Sequence, residues 1–79
     1  MNFISIGFGN FVSVEKIMTI VSPESAPIKR VIADAKEKGL LIDASFGRST
    51  KAVLLMESGH LVLSSMTPEE LSARILSTE

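Results

Sequence analysis

The stretch Leu40-Leu-Ile-Asp-Ala-Ser-Phe-Gly-Arg-Ser-Thr-Lys-Ala-Val-Leu-Leu-Met-Glu-Ser-Gly-His-Leu-Val-Leu-Ser-Ser65 decides the fold. Its first part, Leu40 to Phe46, alternates: Leu40, Ile42, Ala44 and Phe46 point one way, Leu41, Asp43 and Ser45 the other, as in a strand. Lys51 to Glu57 is almost continuously apolar, which predicts a central strand covered on both faces. Gly47-Arg48-Ser49-Thr50 reads as a short turn between them, and Ser58-Gly59 as a tight turn into a further strand, His60 to Ser65. The expectation is a three-stranded antiparallel meander.

Helices flank this stretch. Downstream, Thr67-Pro68-Glu69-Glu70 is a start signal: threonine as cap, proline in the first turn, and glutamate three residues after the cap to complete a capping box. Leu71, Ile75 and Leu76 give that helix its apolar face. Upstream, a helix starts near Ser25, with Ala26 and Pro27 in its first turn. Ile28, Val31, Ile32 and Ala35 form its apolar stripe, and Gly39 is the left-handed stop. Residues 1–21 read as a hairpin: Phe3 to Ile6, a turn at Gly7-Phe-Gly-Asn10, then a β-branched run to Val21 with a polar break at Glu15-Lys16. The order β-β-α-β-β-β-α predicts one α+β domain, residues 1–79, with two helices on an antiparallel sheet.

Composition narrows the chemistry. The 79 residues contain no cysteine and one histidine, His60, so neither a disulfide scaffold nor a Cys/His zinc site is expected. His60 beside Gly59 has no acid partner at catalytic spacing, and Asp34 and Asp43 lie on different elements with no third ligand. No enzyme activity, metal, cofactor or small-molecule substrate is expected. Gly7-Phe8-Gly9-Asn10 is not a dinucleotide loop, because Val12 stands where a third glycine is needed and a strand follows. No basic segment precedes the first apolar run, and no run approaches membrane-spanning length, so a cytoplasmic protein is expected.

Hydrophobic residues are 46% and mean hydropathy is +0.36. A small domain cannot hide that much aliphatic surface within itself, which points to a homo-oligomer. Net charge is −1, so binding of a polyanion by bulk charge is not indicated and must come from clustered bases. Arg48 is the first candidate: arginine offers a planar fork to phosphate or a guanine edge, and Ser49, Thr50 and Lys51 add donors beside it. Lys16 at the polar break, and Lys29 and Arg30 near a helix N-terminus, are the other bases. Repetition in an assembly multiplies such a weak patch by avidity.

Ile6-Gly-Phe-Gly-Asn10, Ile20-Val-Ser-Pro-Glu-Ser-Ala-Pro-Ile-Lys-Arg30, Gly39 to Asp43, and Gly47-Arg48 with Thr50 together resemble the RemA-like family, bacterial regulators of extracellular matrix genes. The likeness runs from about Phe3 to Leu76. It implies a cytoplasmic regulator of matrix and biofilm genes that binds double-stranded DNA, a subunit likened to LytTR domains, and a closed ring of roughly seven or eight copies. DNA would run along the basic outer surface of that ring. The family arginine after the hairpin glycine matches Arg48. A second arginine's place is taken by Ser49, and a third, in the second strand region, by Lys16; Pro27 matches a functionally sensitive proline. Each phosphate left without its cation lowers the salt slope of binding by about 0.9. The alternative reading is an oligomeric scaffold or regulatory adaptor that does not bind DNA.

Overall fold

The apolar alternation becomes strands and its helical stripes become helices. The computed structural model describes residues 2–77. Along them run β1 (Phe3–Gly7), β2 (Asn10–Ser13), a 3₁₀ turn (Val14–Lys16), β3 (Ile17–Val21), α1 (Ala26–Glu37), β4 (Leu41–Asp43), β5 (Ala52–Met56), β6 (Leu61–Ser64) and α2 (Pro68–Ser77). The fold is α+β with two helices, as the sequence predicts. β1 and β2 form their own antiparallel hairpin, and the other strands make a sheet of order β3-β5-β6-β4.

Two expectations need correction. The first 21 residues are not one hairpin. At the polar break Glu15-Lys16 the chain makes a 3₁₀ turn, and β3 leaves β2 to pair with β5. The last three strands are not a simple meander either. β5 and β6 pair antiparallel, but β4 lies on the far side of β6 and pairs parallel to it, Leu41 opposite Leu61 and Asp43 opposite Leu63. β3 and β4 therefore run the same way at opposite edges, and α1 carries the chain across one face between them, the crossover that parallel strands require. The sheet is mixed rather than antiparallel.

The apolar run Ala52 to Leu54 fills the centre, and all three residues are fully buried. Their alternation serves two cores. Val53, Leu61 and Leu63 face α1, where they meet Ala35, Ile28 and Ile32. Ala52, Leu54 and Val62 face the other way, against Ile4 and Ile6 of the hairpin and Leu71 of α2. A bulge between Ile17 and Thr19 lets Ile17 and Ile20 both reach that second core. Burying Leu71 completely is worth about 1.5–3 kcal/mol.

The helix boundaries follow their caps. The Ser25 hydroxyl accepts a hydrogen bond from the Ile28 amide, and α1 ends at Lys38 and Gly39 (φ 74°). Thr67 and Glu70 form the reciprocal capping box: the Glu70 carboxylate accepts from the Thr67 amide at 2.8 Å, and the Thr67 hydroxyl from the Glu70 amide at 3.1 Å. Hydrogen bonding of that carboxylate to the Thr67 amide first, and to the Thr67 side chain second, holds the Glu70 carboxyl below its usual range. Among the described residues no helix is long and apolar enough to cross a membrane.

Candidate functional site

Two turns built on the same dipeptide meet at one end of the sheet. Phe8-Gly9 closes the β1–β2 hairpin, and Phe46-Gly47 lies in the connection from β4 to β5. In both, phenylalanine has φ 54° and glycine φ 77°. Positive φ at both central positions is the pattern of a type I′ turn, which suits Asn-Gly and penalises a large side chain. Gly9 and Gly47 are needed there; the two phenylalanines are strained, by roughly 1–2 kcal/mol each.

The second turn is not a hairpin tip, because β4 and β5 do not pair. Its loop instead passes over the end of β6. The Ala44 amide donates to the Leu63 carbonyl at 2.9 Å, and the Lys51 amide to the Ser64 carbonyl at 2.8 Å. The Asp43 carboxylate accepts from both the hydroxyl and the amide of Ser45, which fixes the start of the loop and holds the Asp43 carboxyl below its usual range. The turn closes with the Arg48 amide donating to the Ser45 carbonyl at 3.0 Å.

Buried Ser64 brings the turns together. Its hydroxyl donates to the Ile6 carbonyl at 2.8 Å and accepts from the Met66 amide at 3.1 Å, while its carbonyl anchors the loop. The hairpin is thus fastened to the strand end that the loop crosses. Phe8 and Phe46 stack with centroids 5.1 Å apart and planes 20° from parallel, and the Arg48 guanidinium lies 5.6 Å from the centre of the Phe8 ring. Phe46 remains 76% exposed and Phe8 47%. Among the described residues Arg48 makes no ion pair with a carboxylate. A stack of this kind is worth about 0.5–1.5 kcal/mol and an exposed cation–π contact about 0.5–1. Together they roughly offset the backbone strain, so stability alone gives no reason to keep two phenylalanines here.

The remaining bases are dispersed. Ser49 is exposed beside Arg48. Lys51 borders a shallow hollow with Glu24 and Glu69, and its charge adds a minor share to the lowering of the Glu70 carboxyl. Lys16 lies beyond the opposite end of β5, where its carbonyl accepts from the Glu57 amide. The five residues of β5 alone span roughly 14 Å, so Lys16 and Arg48 of one protomer do not share a phosphate. Lys29 and Arg30 are exposed on α1. The aromatic half of the site escaped the sequence reading. Its signal was the repeated Phe-Gly, at Phe8-Gly9 and Phe46-Gly47, with a large residue where turn chemistry prefers a small polar one.

Residues 3–75 match the RemA-like family, described as extracellular matrix regulatory protein A-like. The chain belongs to that family. A Carboxydothermus hydrogenoformans protein named "Putative regulatory protein" is 54% identical over all 79 residues, which cover 91% of its length. A similarly named Geobacillus kaustophilus protein has the same identity and coverage. A Synechococcus relative, with the same regulatory name, is 54% identical over 76 residues, 96% of this chain and 85% of its own. Family and relatives alike are described as regulatory. The Phe-Gly turns, Ser64 and Arg48 all fall within the matched RemA-like region.

Proposed function

We propose that the chain is a DNA-binding transcriptional regulator of matrix and biofilm genes that works as a closed ring of identical subunits in the cytoplasm. The observation that carries this reading is Arg48: an exposed guanidinium that has no carboxylate partner among the described residues, held over an aromatic ring at the rim of the sheet. A cation placed in this way is free to meet a phosphate. Ser49 adds a hydroxyl donor beside it. Lys51, Lys16, Lys29 and Arg30 are supporting contacts, and those distant from Arg48 serve DNA that crosses neighbouring copies.

Two apolar areas support assembly. Phe3 and Phe11 sit diagonally on the outer face of the hairpin, 57% and 63% exposed. Met18 and Leu76 line an open hollow between β3 and α2, together with Ile17 and Ile20. A raised aromatic face and a separate apolar hollow suit a head-to-tail contact, the kind that closes into rings. With net charge −1 per copy, DNA is held by repetition of Arg48 and by backbone and shape contacts rather than by bulk charge.

Anisotropy of a labelled duplex across a salt series tests the reading. Steep weakening with salt is expected, and Arg48→Ala abolishes binding with the particle mass unchanged. Absence of binding at about 50 mM salt favours an assembled adaptor that docks protein instead.

A further inference from the structure

In the stacked pair at the Arg48 rim, Phe8 carries the guanidinium, whereas Phe46 makes no contact that the phosphate-binding reading uses, and both sit at strained positive φ. Phe46 is the most exposed of the large apolar side chains in the described residues. Its turn offers the backbone an easier alternative, since Asn-Gly fits the same positive φ values better. The Phe8 ring stacks against one face of the Phe46 ring. Burial between subunits is disfavoured here, because it would enclose the Arg48 guanidinium, which has no carboxylate partner among the described residues. The hairpin face with Phe3 and Phe11 and the hollow with Met18 and Leu76 are the surfaces better suited to subunit contact.

The geometry points to Phe46, backed by Phe8, as a wedge that enters duplex DNA between two base pairs beside the phosphate held by Arg48. This inference rests on the DNA-binding reading above. Apolar side chains inserted at a base step unstack it and kink the duplex, and a rigidly backed aromatic ring next to a cation suits that task. A single-stranded platform is less well served, because it needs a basic groove that follows successive phosphates. Among the described residues Arg48 is the one cation over the aromatic pair, and Lys51 borders a hollow with Glu24 and Glu69. One wedge per copy also supplies a reason for DNA to bend as it crosses several copies, and it favours flexible pyrimidine–purine steps.

The test uses the whole chain and a mixed-sequence duplex labelled at both ends for energy transfer, with affinity and particle mass measured on the same samples. Phe46→Asn keeps the turn and removes the ring, whereas Phe46→Leu keeps an apolar wedge. Phe46→Asn is expected to weaken duplex binding about tenfold, or about 1.4 kcal/mol, and to lose the shortening of end-to-end distance. Its salt slope and particle mass stay unchanged. Phe46→Leu retains most of the affinity and the bend. A duplex with one mismatched step binds the parent protein more tightly but gives Phe46→Asn no such gain. Unchanged affinity and bend in Phe46→Asn overturn the wedge, as does a fall in its particle mass, which makes Phe46 a subunit contact. Single strands bound as tightly as duplex overturn it in favour of a stacking platform. If the parent protein and Arg48→Ala both fail to bind, the DNA reading falls first and the wedge with it; binding with Phe46 indifferent removes the wedge alone.

Discussion

The two Phe-Gly turns share backbone angles and differ in everything around them. Phe8-Gly9 closes paired strands, with Gly7 opposite Asn10 and the Asn10 amide group donating to the Gly7 carbonyl. Phe46-Gly47 closes no hairpin; it rides on a loop over the end of β6, tied by Asp43 and Ser64. The paired turn carries the less exposed ring, which touches both Phe46 and Arg48. The unpaired turn carries the exposed ring and the exposed Arg48. One turn supports and the other presents, a division that strand pairing enforces on a shared local conformation.

The sharpest way to break this comparison is Arg48→Ala. Removing the guanidinium from every copy is expected to lower duplex affinity by at least about a hundredfold near 100 mM salt, and to reduce the salt slope by roughly 0.9 for each phosphate no longer neutralised. Lys16→Ala, at the opposite end of β5, is expected to cost much less in the same titration. Equal effects of the two changes would mean that the Arg48 rim has no special part.

Ser64→Ala tests whether the turns are fastened together. It removes a buried donor to Ile6 and the acceptor for Met66, at a cost of about 1–3 kcal/mol. Each kcal/mol corresponds to roughly 4–8 °C in Tm for a domain of this size. Thermal melting should show that drop, and DNA affinity should fall with it because Phe8 no longer backs Phe46. A normal melt would show that the two turns hold their positions independently.

A finer comparison replaces each phenylalanine by asparagine. Phe8→Asn gives up both the stack and the cation–π contact and is expected to be less stable than Phe46→Asn by about 0.5–1 kcal/mol, since relief of strain is the same in both. Phe46→Asn gives up only the stack and should stay within about 0.5 kcal/mol of the parent in denaturant unfolding. The reverse ranking would make the exposed turn the supporting one.

The smallest expected effect is that of pH. The Ser45 hydroxyl and amide hold Asp43 below its ordinary value of 3.8. A depressed carboxyl contributes stability that is complete above that ordinary value and is lost as pH falls through the lowered one. Unfolding midpoints should therefore show no pH-dependent contribution from Asp43 between about pH 5 and 8, and a decline below about pH 4 that Asp43→Asn reduces.

Local signals in the sequence were enough for much of the fold. The Ser25 cap, the Gly39 stop and the Thr67–Glu70 box each act within four residues, and the helices begin and end where they direct. The central place of β5 followed from Ala52, Val53 and Leu54, since a run apolar on both sides needs cover on both. Pairing partners are not local. β4 has only three residues, and neither its alternation nor the length of the following loop distinguishes an antiparallel neighbour from a parallel one across β6. The site divides in the same way. Arg48 stood out because a lone guanidinium in a glycine turn has evident chemistry. Its contact with Phe8 joins residues 40 positions apart through the Ser64 fastening, so composition and spacing near Arg48 held no sign of it.

The central claim is that copies gather and present Arg48 to DNA. Light scattering after size exclusion, with and without a mixed-sequence duplex, tests it most directly. The account predicts one particle many times the 8.5 kDa chain mass that gains the mass of the duplex when DNA is added. A stable 8.5 kDa species, or an assembled particle whose mass the duplex leaves unchanged, would contradict it.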